Sequence, residues 1–146
     1  MSSMLAKPNI LVVDDNAPTR ALIARILEQE LHAAVTLAED GDAAKIQLRQ
    51  SRFDVILLDL LMPQASGFQV LEWLRVERTP NQGTPVLVVS VMGDHESIER
   101  CRRLGASVHI VKPILRETLA AAVREHLPAQ GAQASAYGER TDPGAC

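Results

Sequence analysis

The chain has 146 residues, of which 47% are apolar, so it is long enough for one domain with a hydrophobic core and too apolar to be disordered. Its 15 basic and 18 acidic residues give a formal net charge of −3, which does not favour nucleic acid as a partner. Cys101 and Cys146 form no metal or redox spacing, and no apolar segment suits a signal peptide or a membrane span. We therefore expect a cytoplasmic domain that neither binds nucleic acid directly nor inserts into a membrane.

Five segments rich in apolar residues predict β-strands, and each is followed by a segment with helical periodicity. Continuous runs, such as residues 53–58, are typical of strands buried on both faces of a parallel sheet, whereas the alternating segment 32–38 indicates an edge strand. The other predicted strands are residues 10–13, 86–90 and 108–111. The predicted helices carry apolar side chains at Leu22, Ile23, Ile26 and Leu27; at Ala43, Ala44, Ile46 and Leu48; at Phe68, Val70, Leu71 and Leu74; at Ile98, Cys101 and Leu104; and at Leu115, Leu119, Ala122 and Val123.

This alternation predicts a doubly wound α/β domain, in which five helices cover both faces of a five-stranded parallel sheet. In the flavodoxin-like strand order 2-1-3-4-5, a ligand crevice lies between the carboxyl ends of the first and third strands. We place the domain at residues 7–127. Residues 128–146 lack periodicity, so we predict a flexible tail or linker there. No pattern after residue 127 predicts an output domain, and we expect either that the domain acts by docking alone or that the tail leads into a longer chain.

Polar side chains follow four of the strands at the edge where the crevice lies. Asp14 and Asp15 follow the first strand, Asp59 follows the third, Ser90 ends the fourth, and Lys112 follows the fifth. Carboxylates gathered in one crevice repel one another by about 4 kcal/mol per pair at an effective dielectric constant of about 20. We therefore expect a counter-charge, which is either Mg²⁺, a cation that prefers oxygen ligands, or the ammonium group of Lys112.

This set of residues resembles the receiver domain of two-component response regulators. The segment 59–63, Asp-Leu-Leu-Met-Pro, followed by Gly67, is similar to the phosphoacceptor loop of that family. Lys112-Pro113 is similar to its lysine–proline pair, whose peptide bond is cis in the family. The resemblance covers about residues 7–127 and implies a signalling domain that takes its phosphoryl group from a sensor histidine kinase or a histidine phosphotransferase.

The resemblance also implies the roles of the acidic residues. Asp59 would be the nucleophile that accepts the phosphoryl group as an acyl phosphate. Asp15, Asp59 and the backbone carbonyl of Leu61 would hold Mg²⁺, with Asp14 acting mainly through water. The domain would then catalyse only its own phosphorylation and dephosphorylation, and it would not be an enzyme in any other sense.

The remaining implied roles concern phosphoryl binding and switching. Lys112 would pair with Asp59 and then with the phosphoryl oxygens, and Ser90 would donate a hydrogen bond to one of them. His109 stands where the family usually has Tyr or Phe, so a switching ring would here be an imidazole. Val91 stands where the family usually has a small residue, and its methyl groups would crowd the phosphoryl group. The output partner would dock on the fourth helix, the fifth strand and the fifth helix.

Alternatives remain open on the sequence alone. The two aspartates after the first strand could cap the first helix, Ser90 and Lys112 could be ordinary polar residues, and His109 could be an ordinary strand residue. The alternative function is a degenerate receiver that acts only as a protein-interaction module. An aspartyl-phosphate hydrolase would need a second Asp where Leu61 stands, and a nucleotide or flavin module would need a glycine-rich loop after a strand.

Overall fold

The computed structural model describes residues 7–63 and 66–128, in which five β-strands alternate with five α-helices. The strands are β1 (Asn9–Val13), β2 (Ala34–Ala38), β3 (Val55–Leu58), β4 (Val86–Ser90) and β5 (Val108–Val111). The helices are α1 (Ala17–Leu31), α2 (Gly41–Gln50), α3 (Gly67–Val76), α4 (His95–Arg103) and α5 (Arg116–His126). All but the first residue of the tail or linker predicted at 128–146 lies outside the described residues. Within them, no helix is long and apolar enough to cross a bilayer.

The strands form one parallel sheet in the order β2-β1-β3-β4-β5, which confirms the predicted fold class. β3 and β4 are buried along their whole length, and β1 is buried at four of its five residues. β2 forms an edge, as predicted, and its Leu37 is 46% exposed. Val13 of β1 pairs with Leu58 of β3, so the residues that follow them, Asp14 and Asp59, leave the sheet side by side.

The helices cover both faces of the sheet and give the domain two apolar layers. α1 and α5 pack on one face through side chains such as Ile23 and Leu119. α2, α3 and α4 pack on the other face through side chains such as Leu48, Leu71 and Cys101. The doubly wound arrangement leaves the carboxyl ends of the central strands open at one edge of the sheet, where the loops carry the polar residues.

Three residues predicted to lie on apolar helix faces are exposed instead. Ile46 is 52% exposed because α2 turns Ala44 and Leu48 toward the sheet, and the position midway between them points outward. Leu22 is 46% exposed on α1 because it lies at the border of the buried face. Leu115 is 64% exposed because it precedes α5 and is not part of the helix.

α4 is held to the body of the domain by few buried side chains. Its first turn is capped by Asp94, whose side chain accepts a hydrogen bond of 3.0 Å from the backbone N–H of Ser97. Gly105 follows its last turn at a φ of 101°, the left-handed conformation that suits glycine, so both predicted ends of this helix are confirmed. Only Ser97 and Cys101 are buried among its nine residues.

Asn81 fixes the loop between α3 and β4. This loop lies at the end of the sheet where the strands begin, opposite the end that carries the polar residues. Its Oδ1 accepts hydrogen bonds from the N–H of Phe53 at 2.7 Å and from the Thr84 hydroxyl at 3.1 Å. Its Nδ2 donates to the carbonyl oxygens of Leu48 at 2.8 Å and Ser51 at 2.7 Å. Asn81 is 2% exposed, so water has little access to the groups that would lose their partner if this side chain were removed.

We predict that Asn81→Ala lowers the free energy of unfolding by about 2–4 kcal/mol, because each buried polar group left without a partner costs about 1–3 kcal/mol. Denaturation in urea measures the change. The neighbouring exposed residue gives the matched control, and Gln82→Ala should change the free energy by less than about 0.5 kcal/mol. Equal, small effects of the two substitutions would show that water takes over the bonds of Asn81.

Candidate functional site

The structure gathers three predicted carboxylates at the carboxyl ends of β1 and β3. One oxygen each from Asp14, Asp15 and Asp59 lies within 4.8 Å of the others. Asp14 and Asp59 are buried, at 1% and 5% exposure, whereas Asp15 is exposed. The pocket is therefore a buried acidic pair with a third carboxylate at its mouth.

Lys112 enters this pocket from the end of β5. Its Nζ lies 3.0 Å from Oδ2 of Asp14 and 3.5 Å from Oδ2 of Asp59. The lysine side chain is only 16% exposed, so the alternative of an ordinary surface lysine is wrong. The Lys112–Pro113 peptide bond is cis, as the family resemblance implied. The lysine is shared between two aspartates and lies closer to Asp14 than to Asp59, the partner that the resemblance gave it.

The two buried aspartates differ in how fully their oxygens are used. Asp14 accepts a hydrogen bond of 2.9 Å from the N–H of Asn16 on Oδ1 and one of 3.0 Å from Lys112 on Oδ2. The contacts of Asp59 are longer, at 3.3 Å from the N–H of Leu61 and 3.5 Å from Lys112. Asp59 is therefore the buried carboxylate whose oxygens are more available for a reaction or for a ligand.

Burial raises the pKa of Asp59 above its usual value of 3.8, because the charged form loses hydration. The nearby ammonium of Lys112 lowers the pKa and the charge of Asp14 raises it, but burial has the largest effect. The repulsion expected from the sequence thus contributes to the raised pKa without being its main cause. An ionised Asp59 is poorly solvated in the absence of a further cation.

Arg20 belongs to the site, although no sequence pattern predicted a role for it. Its Nη1 donates a hydrogen bond of 2.8 Å to the backbone carbonyl oxygen of Asp14. The cap of α1 is Asn16, which accepts a hydrogen bond from the N–H of Thr19, so the aspartates are not the helix cap. The signal in the sequence was the spacing, since Arg20 lies one turn into the helix that follows the aspartate pair.

Ser90 ends β4 beside the lysine and is fully buried. Its backbone carbonyl accepts a hydrogen bond of 2.8 Å from the N–H of Lys112, which ties the ends of β4 and β5 together. Its hydroxyl oxygen accepts one of 3.2 Å from the N–H of Met92 in the β4–α4 loop. The next residue, Val91, is 61% exposed, so its methyl groups are not packed into the protein.

His109 lies on β5, outside the acidic pocket, and is joined to it through the β4–α4 loop. Its Nε2 lies 2.6 Å from the carbonyl oxygen of Met92, and because a carbonyl can only accept, Nε2 is the donor. Its Nδ1 is buried and has no partner in the part of the chain that the structure describes. Met92 thus connects two predicted residues, since its N–H donates to Ser90 and its carbonyl accepts from His109.

The first turn of α3 rests directly on the β3–α3 loop that follows Asp59. The N–H of Gly67 donates a hydrogen bond of 3.0 Å to the carbonyl oxygen of Leu60. A Cβ atom at Gly67 would lie 2.7 Å from Cα of Leu60 and would overlap the carbonyl oxygen of Asp59. Only glycine allows this approach, so the position of Asp59 and the position of α3 depend on each other. The side chain of Leu61, in the same loop, is 50% exposed.

The raised pKa of Asp59 predicts how stability depends on pH. In the unfolded chain Asp59 ionises near its usual pKa of 3.8, below the folded pKa, so the free-energy penalty on the folded state grows above that pH and is complete above the folded pKa. We predict that Asp59→Asn raises the melting temperature in EDTA at about pH 7, and that the gain shrinks as the pH falls to about 4. Melting curves over this range test it. A gain that is absent or independent of pH would contradict the raised pKa.

Comparison with known proteins agrees with these observations. Residues 10–124 match the family described as the response regulator receiver domain. The phosphate regulon transcriptional regulatory protein PhoB of Escherichia coli is 36% identical over 115 residues, which are 79% of this chain and 49% of PhoB. The chain thus spans about half the length of the curated relatives it matches.

Solved receiver structures give the same result. The chemotaxis protein CheY4 of Vibrio cholerae has a TM-score of 0.77 and 30% identity, over 84% of this chain and 100% of CheY4. The receiver domain of the sensor histidine kinase PA1611 of Pseudomonas aeruginosa, solved with a magnesium ion in its active-site cleft, has a TM-score of 0.75 and 25% identity, over 83% of this chain and 98% of that one. This chain therefore belongs to the response regulator receiver family and is a receiver domain of two-component signal transduction.

Proposed function

We propose that this receiver accepts a phosphoryl group on Asp59 from a sensor histidine kinase or a histidine phosphotransferase, in a Mg²⁺-dependent reaction. The contrast between the two buried aspartates carries the proposal. Asp14 is engaged at both oxygens by bonds of 2.9 and 3.0 Å, whereas Asp59 has only contacts of 3.3 and 3.5 Å. A buried carboxylate that is weakly hydrogen-bonded and poorly solvated is the better nucleophile of the two.

The acidic pocket suits Mg²⁺, because three carboxylates within 4.8 Å supply the oxygen ligands that this ion prefers. Asp15, Asp59 and the backbone carbonyl of Leu61 would hold the ion. Asp14 would act through water, since both of its oxygens already accept hydrogen bonds. A bound Mg²⁺ would neutralise negative charge on the phosphoryl oxygens during transfer. The magnesium ion in the PA1611 receiver supports this assignment by analogy.

Transfer needs little covalent chemistry from the protein itself. An oxygen of Asp59 forms a bond to phosphorus while the bond from phosphorus to the donor histidine breaks. Lys112 already lies 3.5 Å from Asp59, and its ammonium group would move to the phosphoryl oxygens. The domain would accelerate only its own phosphorylation and dephosphorylation. Because the three carboxylates and Lys112 are all present in the pocket, nothing supports the alternative of a degenerate receiver.

Asp59 should form a phosphoryl adduct with acetyl phosphate in Mg²⁺ and none in EDTA, because the pocket needs the ion to neutralise charge. Intact-mass analysis measures the adduct. Asp59→Asn should abolish it, whereas Asp54→Asn, which alters an acid at the opposite end of β3, should retain it. An adduct that persists in Asp59→Asn would refute the assignment of the nucleophile.

We propose that phosphorylation is read through the β4–α4 loop. The Ser90 hydroxyl accepts from the N–H of Met92 in this structure, and it would turn to donate to a phosphoryl oxygen. This movement would free Met92, whose carbonyl holds the ring of His109. The imidazole would thus take the part of the aromatic ring in this chain, and a change at Asp59 would reach β5.

The output partner would dock on α4, β5 and α5. α4 is suited to move because arginine contacts supplement its few buried residues. The guanidinium of Arg100 lies 4.0 Å from the ring centre of Phe68 on α3. Nη1 of Arg75, also on α3, donates a hydrogen bond of 2.6 Å to the carbonyl oxygen of Arg103. Such polar contacts can be exchanged for water at a small cost in free energy.

The free, buried thiol of Cys101 on this helix supports a reducing, cytoplasmic location.

Beryllofluoride, which mimics the phosphoryl group, should change amide hydrogen exchange in α4 and β5 more than in α2. The reason is that the Ser90–Met92–His109 contacts lead to α4 and β5, whereas α2 has no part in them. Exchange followed by mass spectrometry measures the difference, with Asp59→Asn as the variant that should not respond. Equal change in all helices, or change confined to α2, would contradict the proposed output surface.

A further inference from the structure

We propose that Arg20 is a positioning residue of the metal site, which holds the Asp14–Asp15 peptide so that the Asp15 carboxylate faces the ion. The inference rests on the proposed function, because it concerns Mg²⁺ binding. Arg20 is half-buried on α1 and reaches back over the loop that joins β1 to this helix. Its contact is with the backbone of the site and with none of the three carboxylates.

The carbonyl oxygen of Asp14 depends on Arg20. Asp14 is 1% exposed, and no other donor in residues 7–63 and 66–128 hydrogen-bonds to this oxygen. Removing the guanidinium would leave a buried carbonyl without a partner, which favours a rotation of the peptide toward water. Every other polar atom of Asp14 is fixed, since its N–H donates to Ala38 and its carboxylate oxygens accept from Asn16 and Lys112.

Asp15 is the residue that this peptide positions. Its carboxylate is exposed and has no hydrogen bond or ion pair with any other described residue, so only the backbone restricts it, by setting the direction of the Cα–Cβ bond. The Asp14 carbonyl and the Asp15 N–H share one planar peptide unit, and a bond that fixes the oxygen also fixes that plane. Arg20 would thus determine where the side chain of Asp15 leaves the loop.

Positioning and simple charge have opposite consequences for metal affinity. If Arg20 were only a nearby positive charge, its removal would make the pocket more negative and would tighten Mg²⁺ binding. If Arg20 positions Asp15, its removal loosens a ligand and weakens binding. Residues that orient metal ligands typically contribute about 10- to 100-fold to affinity.

Titration calorimetry with Mg²⁺ as the titrant measures the dissociation constant of the full chain and its variants. Arg20→Met keeps the length of the side chain and removes its donors, and we expect affinity to fall by about tenfold. Arg20→Lys keeps the charge and places its donors on one nitrogen without the guanidinium geometry, and its affinity should lie between those of Arg20→Met and the wild type. Arg25→Met removes a cation from the exposed face of the same helix and should stay within about twofold of the wild type. Melting curves in EDTA establish that each variant is folded.

The outcomes separate this inference from the proposed metal site. A wild-type chain that binds no Mg²⁺ would refute the metal site, and the role of Arg20 with it. Wild-type affinity, or tighter binding, in either Arg20 variant would overturn the positioning role while leaving the metal site intact. Equal loss in Arg25→Met would also overturn it, because the loss would then follow from changing an arginine of α1 that has no contact with the site. Arg20→Lys decides the question if Arg20→Met does not fold.

Discussion

The ion pairs of Lys112 with Asp14 and Asp59 are the interaction on which the site depends. Two ionised carboxylates are costly to bury next to each other without a cation, and the ammonium group serves both, at 3.0 and 3.5 Å. The sheet makes this possible, because parallel strands bring the ends of β1, β3 and β5 to one edge. The apolar layers on both faces therefore support a charged cluster that could not persist in a smaller or looser fold.

A lysine shared between two acids also separates their tasks. Asp14 is held by short bonds on both oxygens and serves as a fixed part of the pocket. Asp59 keeps long contacts and a raised pKa. The same amino acid thus has two environments that differ in the length of its hydrogen bonds. Nothing in the identity of the two residues distinguishes them.

Much of this arrangement follows from sequence, because it rests on periodicity and on strand ends. Apolar runs located the five strands, and their polar ends located the acidic pocket and Lys112. The contacts of Asn81 and His109 could not be predicted, since each joins a side chain to a backbone atom of a distant segment, and no periodic pattern records that. The contact of Arg20 spans only six residues, and its spacing from the aspartate pair was the one signal for it. The exposure of Ile46 escaped prediction because a short helix has too few apolar side chains to show which of its faces is buried.

The glycine at the start of α3 makes α3 and α4 differ in how closely they are attached to the pocket. Gly67 brings that helix against the Asp59 carbonyl with no space for a further carbon atom, so α3 cannot move closer to the pocket. α4 contacts α3 through the stacking of Arg100 on Phe68, and this contact tolerates sliding better than packed apolar side chains do. A displacement that starts in the pocket would therefore be resisted at α3 and taken up more easily at α4.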